Sequence, residues 1–178
     1  MNEKPRPGGF HRLTVVPVVA AFDNLDRIIA KAESHAAQLK FEARTLLEAR
    51  LYPDMFNLIQ QLQYTLYLPV DFARHFTAEA PPKVGYEEAS FDDVKKSLAL
   101  ARPYLSSIDA TRMDERAGAI VPLFFDAAKG MPAEDYAARI VMPDFYFHLT
   151  AAYAILRHNG VPLGKADYFG KFRTVPIG

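Results

Sequence analysis

Two residues of one apolar segment, Asp144 and His148, have side chains that can do chemistry. They are four residues apart, so on a helix they lie on one face, one turn apart. A carboxylate and an imidazole in this arrangement can bind a metal ion together with ligands from facing helices, or can act as an acid–base pair. The same residue types suit a structural role, in which Asp144 caps the helix and His148 is a buried histidine bonded to a neighbour. Residue types alone favour the structural role and leave the other two interpretations open.

The segment that carries this pair has the start and stop signals of a helix over residues 143–158. Pro143 suits a first helical position, where its missing N–H costs nothing. Arg157 and His158 lie in the last turn, where a positive charge interacts favourably with the helix dipole. Gly160 suits the left-handed residue that follows a helix end. The middle of the segment carries few polar groups, which predicts a helix buried on most sides.

Hydrophobic spacing predicts three further long helices. The first covers residues 13–38, the second residues 53–75, and the third begins near residue 90. Pro53 and Asp54 mark the start of the second helix, which Pro69 should end or kink. Shorter helical pieces are predicted at 41–51 and 132–141.

Helical periodicity is lost over residues 106–130. Residues 118–125 are typical of a strand, and Pro122 restricts it to an edge, so we expect a hairpin or an irregular excursion that packs on the bundle. We predict one all-α domain over residues 1–178, a four-helix bundle with a long crossover between helices three and four. Residues 1–10 are expected to be a loose extension. Residues 163–178 are expected to be a strap that returns across the bundle.

Composition excludes several classes of function. Lys and Arg together number 21 and balance 21 Asp and Glu, so the chain lacks the basic excess typical of nucleic-acid binding. The absence of cysteine excludes thiolate metal sites and disulfides.

The apolar run at 13–22 resembles a short signal peptide, but its helical spacing continues to residue 39, which favours a core helix. No apolar run is long enough to span a membrane, and we expect a cytoplasmic protein. The stretch 160–166 ends in Gly-Lys-Ala and follows a helix, so it is not a phosphate loop.

Two long motifs identify a family resemblance. The first is PDFYFH at 143–148 with AYAILRHNGVPLGKADY at 152–168, and the second is RLYPDMF at 50–56. Together they closely resemble an uncharacterised bacterial domain-of-unknown-function family, over residues 10–170, which looks related to the DinB/YfiT-like bundles. The resemblance implies a four-helix bundle that is often a homodimer. Its typical site has one histidine on helix two and a His-x-x-x-His pair on helix four, often with a divalent metal.

Carried onto this chain, the resemblance gives a partial site. His148 matches the second histidine of the pair, and Asp144 stands at the first, where the family commonly has asparagine. The helix-two histidine has no counterpart. Gln60, Gln61 and Gln63 lie near its place, and Gln63 is our predicted third ligand. The metal would be zinc, nickel, iron or manganese, or the site would hold none.

Two functions follow as expectations. In the first, the chain is a DinB-like bundle with a degenerate metal or acid–base site at His148 and Asp144; if it is an enzyme, the resemblance implies a metal-dependent hydrolase or a thiol-dependent transferase. In the second, it is a non-catalytic dimeric module that binds a small molecule or a protein and has lost the metal site.

Overall fold

Four long helices form a bundle, as the sequence predicts. The structure is a computed structural model that describes residues 9–177. In chain order its elements are α1 (Gly9–Leu39), α2 (Arg44–Glu48), α3 (Leu58–Ala73), α4 (Phe91–Ser106), α5 (Ala110–Glu115), β1 (Ile120–Leu123), β2 (Asp126–Pro132), α6 (Ala133–Tyr136), a π-helical turn (Ala137–Val141), α7 (Met142–His158) and α8 (Lys165–Phe169). The all-α bundle with a small strand excursion is thereby confirmed.

The long helices pack around one apolar core. Helix α4 contacts both α1 and α3, and α7 packs mainly along α3. Phe22 of α1 and Phe145 of α7 are fully buried, with ring centroids 6.2 Å apart. Leu62 and Leu66 of α3 are also fully buried. The contact between α3 and α7 is where the polar residues of the candidate site meet.

The start of α3 differs from the prediction. The helix begins at Leu58, because the side chain of Asn57 accepts a hydrogen bond from the amide of Gln60 and the Gln60 side chain accepts one from the amide of Asn57. This reciprocal arrangement satisfies two N–H groups of the first turn. Before it, the Arg50 guanidinium donates to the carbonyls of Pro53 and Met55, each at 3.2 Å, and holds a turn where a helix start was expected. The helix then continues past Pro69 to Ala73.

Helix α7 begins at Met142, close to the predicted start, but the chain is already helical from Ala133. The π-helical turn joins α6 to α7 and ends two residues before Pro143. A π turn uses a longer hydrogen-bond spacing, so this local change of register accommodates a proline, which cannot donate. The prediction that a separate short helix leads into helix four is therefore replaced by one continuous run.

The ends of the chain attach to the bundle through particular contacts. Residues 1–8 of the predicted extension lie outside the described residues, and Phe10 is already helical and packs against Phe72 and Phe76. At the other end, Asn24 of α1 donates to the carbonyl of Tyr168 at 2.8 Å, so α8 returns across α1.

The segment 106–130 contains both a helix and a hairpin. Helix α5 was not predicted. Strands β1 and β2 pair antiparallel and place Pro122 opposite Gly130, so of the two expected forms the hairpin is the one present. Within residues 9–177, no helix is long and apolar enough to cross a membrane.

Candidate functional site

The candidate site lies between α3 and α7, under the surface of the bundle. His148 of α7 is only 6% exposed, and Gln61 of α3 is 1% exposed. Both project from helix faces that carry mostly apolar residues of the core. Polar side chains at such depth are stable only when they are hydrogen-bonded.

Gln61 and His148 satisfy each other. The Oε1 of Gln61 lies 2.7 Å from the Nδ1 of His148. The Nε2 of Gln61 donates to the carbonyl of Phe56 at 3.2 Å, and this bond fixes the orientation of the amide. Because the amide oxygen can only accept, the Nδ1 of His148 must carry the hydrogen.

Asp144 stands at the other nitrogen of the ring. Its Oδ1 is 3.4 Å from the Nε2 of His148, and its side chain is about one-third exposed. In a neutral imidazole with the hydrogen on Nδ1, Nε2 presents a lone pair. A lone pair and a carboxylate oxygen therefore face each other, and together they can accept a proton or a hydrogen-bond donor.

Aromatic rings enclose the imidazole. Tyr64 lies nearly parallel to it, with centroids 4.8 Å apart, and Phe56 does so at 6.0 Å. Phe147 meets it edge-on at 5.3 Å. Phe56 and Phe147 are themselves 37% and 56% exposed, so the side of the site nearest solvent is apolar apart from Asp144.

Burial decides the charge of His148. Removal from water lowers the pKa of the imidazole below its ordinary value, and the nearby Asp144 carboxylate offsets part of this decrease. A histidine with a lowered pKa is neutral at pH 7, which agrees with the hydrogen-bond pattern. It is then available as a base.

The donor set does not fit the three-ligand metal site that the resemblance implies. A catalytic zinc site commonly takes three protein ligands. Among residues 9–177, no group of three His, Cys, Asp or Glu side chains converges as a metal site would require. The oxygen of Gln61 is already bonded to the Nδ1 of His148, so it would have to leave the ring to reach a metal.

The predicted third residue, Gln63, does not take the place next to His148. Its Nε2 donates to the carbonyl of Glu88 at 2.9 Å, and Gln60 caps α3. Of the three glutamines considered from the sequence, Gln61 is the one that reaches the histidine. The structure thus brings His148, Asp144 and Gln61 together.

Sequence reasoning missed the two rings that stack on the imidazole, Phe56 and Tyr64. One signal in the sequence could have pointed to Gln61 as the partner of His148. Position 61 shares a helix face with Leu58 and Thr65, both fully buried, and a glutamine in a core stripe needs a polar partner. Tyr64 follows on the next turn.

Comparisons with known proteins agree with this architecture. Residues 10–169 match the family described as Domain of unknown function (DUF1993). The chain is also similar to the crystal structure of a DinB family member protein from Shewanella denitrificans, with 32% sequence identity and a TM-score of 0.84, over 93% of this chain and 95% of that one. No curated protein matches the chain. The match covers most of the sequence, and the chain belongs to the DUF1993 family, with the fold of a DinB family member.

Proposed function

We propose that Gln61, His148 and Asp144 form a metal-independent proton-transfer site that acts on a small, weakly acidic molecule. The observation that supports this most directly is the double anchoring of Gln61, to His148 Nδ1 at 2.7 Å and to the Phe56 carbonyl at 3.2 Å. This anchoring assigns the hydrogen to Nδ1 and leaves Nε2 as the acceptor. An oriented imidazole with a free lone pair is the usual form of a general base.

The roles of the three side chains follow from their positions. His148 Nε2 takes the proton of the bound molecule and becomes positively charged. Asp144, whose Oδ1 is 3.4 Å away, stabilises that charge in a site where burial opposes it. Gln61 keeps the ring in place and in one tautomer throughout, because its oxygen can accept from Nδ1–H in both charge states.

A thiol is the donor best matched to this base. General-base catalysis is most efficient when the pKa values of the partners lie near the working pH. A free thiol ionises near a pKa of about 8.5, far closer to an imidazole than water is. Proton transfer from S–H to Nε2 would leave a thiolate that attacks an electrophilic carbon and displaces its leaving group. The thiol-dependent transferase implied by the family resemblance is therefore the activity we propose.

The experiment is substitution of 1-chloro-2,4-dinitrobenzene by glutathione, with EDTA present throughout. The parent protein should accelerate the reaction, and His148→Gln should lose about 100-fold or more of that rate, the usual contribution of a general base. His158→Gln is the matched control, because this histidine lies on the same helix and is exposed. Equal rates for the parent and His148→Gln, or a rate that EDTA abolishes, would contradict the proposal.

A second candidate, the non-catalytic binding module, is favoured by the depth of His148. The residue is 6% exposed and stacked against Tyr64, an environment that also suits a purely structural histidine. In that case the same assay gives no rate above the uncatalysed one. His148→Gln would then change only the thermal stability of the protein.

Self-association and location remain proposals. We propose a homodimer, supported by large apolar side chains that are exposed on α7, on α8 and after it: Phe147 (56%), Phe169 (60%) and Phe172 (73%). Sedimentation velocity should give twice the mass of 20.0 kDa, and a single species at that monomer mass would refute it. We also propose a cytoplasmic location, which fractionation of cells that express the protein would test.

A further inference from the structure

A cleft of about 740 Å³ is lined by Tyr67, Val70 and Asp71 of α3, further along that helix than Gln61, and His148 is not among its lining residues. The segment 81–88 and the first turns of α4 form its other walls. Its volume is within the range of small-molecule sites in proteins, about 300–1,000 Å³. Tyr64, which stacks on His148, also meets Tyr67 of the cleft wall edge to face, with ring centroids 6.4 Å apart.

One wall residue, Glu88, is a buried carboxylate with an unsatisfied oxygen. The residue is 7% exposed. Its Oε1 accepts from the amide of Gly85 at 2.8 Å and from the hydroxyl of Ser97 at 2.5 Å. Its Oε2 has no hydrogen-bond partner within the described part of the chain. A buried acceptor of this kind is costly unless a donor reaches it.

The charges of the cleft favour a cation. Within residues 9–177, its charged lining residues are four acids and two lysines: Asp71, Glu87, Glu88, Asp93, Lys83 and Lys96. Lys96 is already paired with Asp93 at 3.2 Å and Arg74 with Asp71 at 3.0 Å, so within the described residues the acidic excess rests on Glu87 and Glu88 against Lys83. The excess of carboxylates should raise the local concentration of positively charged ligands.

The apolar lining favours an organic cation over a metal ion. Tyr67 and Tyr86 stand edge to face with centroids 5.1 Å apart, and Pro81, Pro82 and Val84 complete this side. Aromatic faces attract ammonium groups and also pack against apolar groups. No metal-binding group of three His, Cys, Asp or Glu residues occurs in the described chain.

We propose that this cleft binds a small organic amine in its ammonium form, with the N–H groups directed to Glu88 and the apolar body against Tyr67 and Tyr86. The ligand supplies the donor that Glu88 Oε2 lacks. The site is independent of the proposed proton-transfer activity, since it uses none of Gln61, His148 and Asp144.

The test is titration of the full chain with 2-phenylethylamine and with 2-phenylethanol at pH 7. Binding is measured by calorimetry and by changes in amide NMR shifts. The amine should bind saturably, shift the amides of Gly85 and Ser97, and bind about tenfold or more tightly than the neutral alcohol, as expected for a hydrogen bond to a charged group. Glu88→Gln should lose that preference, since its amide oxygen can keep the bonds from Gly85 and Ser97 while the carboxylate charge is removed.

Two further variants separate ligand binding from folding. Glu87→Gln removes the same charge from an exposed residue of the same cleft, and its affinity should stay within about twofold of the parent. Tyr86→Ala removes a ring that is 63% exposed, so folding is retained and affinity should fall about threefold. Equal binding of amine and alcohol, no saturable binding of the amine, or full amine binding by a folded Glu88→Gln variant would each overturn the proposal.

Discussion

Gln61→Leu is predicted to destabilise the protein by a measurable amount that follows from two hydrogen bonds. Leucine has a similar size, so packing between α3 and α7 is retained. The substitution removes the acceptor of His148 Nδ1 and the donor to the Phe56 carbonyl. A buried polar group left without its partner costs about 1–3 kcal/mol, and we take roughly 2 kcal/mol for the ring nitrogen of His148, which is the more deeply buried group. For a domain of this size, that corresponds to a decrease in melting temperature of roughly 4–8 °C.

Gln63→Leu is the matched control for this measurement. Gln63 belongs to the same helix but is only partly buried, and it makes one hydrogen bond, to the carbonyl of Glu88. Its loss should cost less than about 1 kcal/mol. Thermal denaturation followed by circular dichroism at pH 8, where His148 is neutral, should therefore separate the two variants. Equal changes in melting temperature, or a change below about 2 °C for Gln61→Leu, would show that the Gln61–His148 bond does not hold the site together.

Further predictions concern pH and backbone conformation. Burial holds the folded-state pKa of His148 below its unfolded value of about 6.5. Between these two pKa values, the unfolded state therefore binds more protons than the folded state. The free energy of unfolding should therefore decrease as pH falls through 6.5 towards the folded-state pKa, and His148→Gln should remove this part of the decrease in denaturant titrations at pH 5–7. Asp144→Asn should lower the pKa of His148 further in an NMR titration, since it removes the charge that raises it; an unchanged or higher pKa would contradict the assigned role of Asp144. Gly85→Ala should destabilise the fold by about 2 kcal/mol or more in urea unfolding, because Gly85 has φ +83° and an added Cβ would lie 2.5 Å from the Gln63 carbonyl oxygen. Gly118→Ala, where the Cβ would meet nothing within 4 Å, should be close to neutral, and equal effects at both positions would refute this account of the turn.

The helical bundle was predictable because its signals are local or periodic. The start of α4 near residue 90 and the apolar spacing of α1 needed no tertiary information. The start of α3 was misplaced because Pro53 and Asp54 are also typical of a helix start, whereas the actual start depends on the pairing of Asn57 with Gln60. That Asn-x-x-Gln spacing was visible in the sequence.

The candidate site was predictable only in part, for a physical reason. Asp144 and His148 are neighbours on one helix, so their spacing places them together. The third member comes from another helix, and its choice depends on how α3 is rotated about its axis against α7, which tertiary packing sets. In the structure, position 61 falls in the buried stripe and position 63 outside it. The π-helical turn before α7 has no such local signal, and it sets the register from which Asp144 and His148 project.

The most direct test of the account is the long-range ¹H–¹⁵N NMR spectrum of the His148 imidazole at pH 7.5, assigned by its absence in His148→Gln. The central claim is that Gln61 holds a neutral ring with the hydrogen on Nδ1 and a lone pair on Nε2 facing Asp144. The account predicts a protonated Nδ1 and an unprotonated Nε2 in a single, fixed tautomer. A hydrogen on Nε2, an average of both tautomers, or a fully protonated ring at this pH would contradict it.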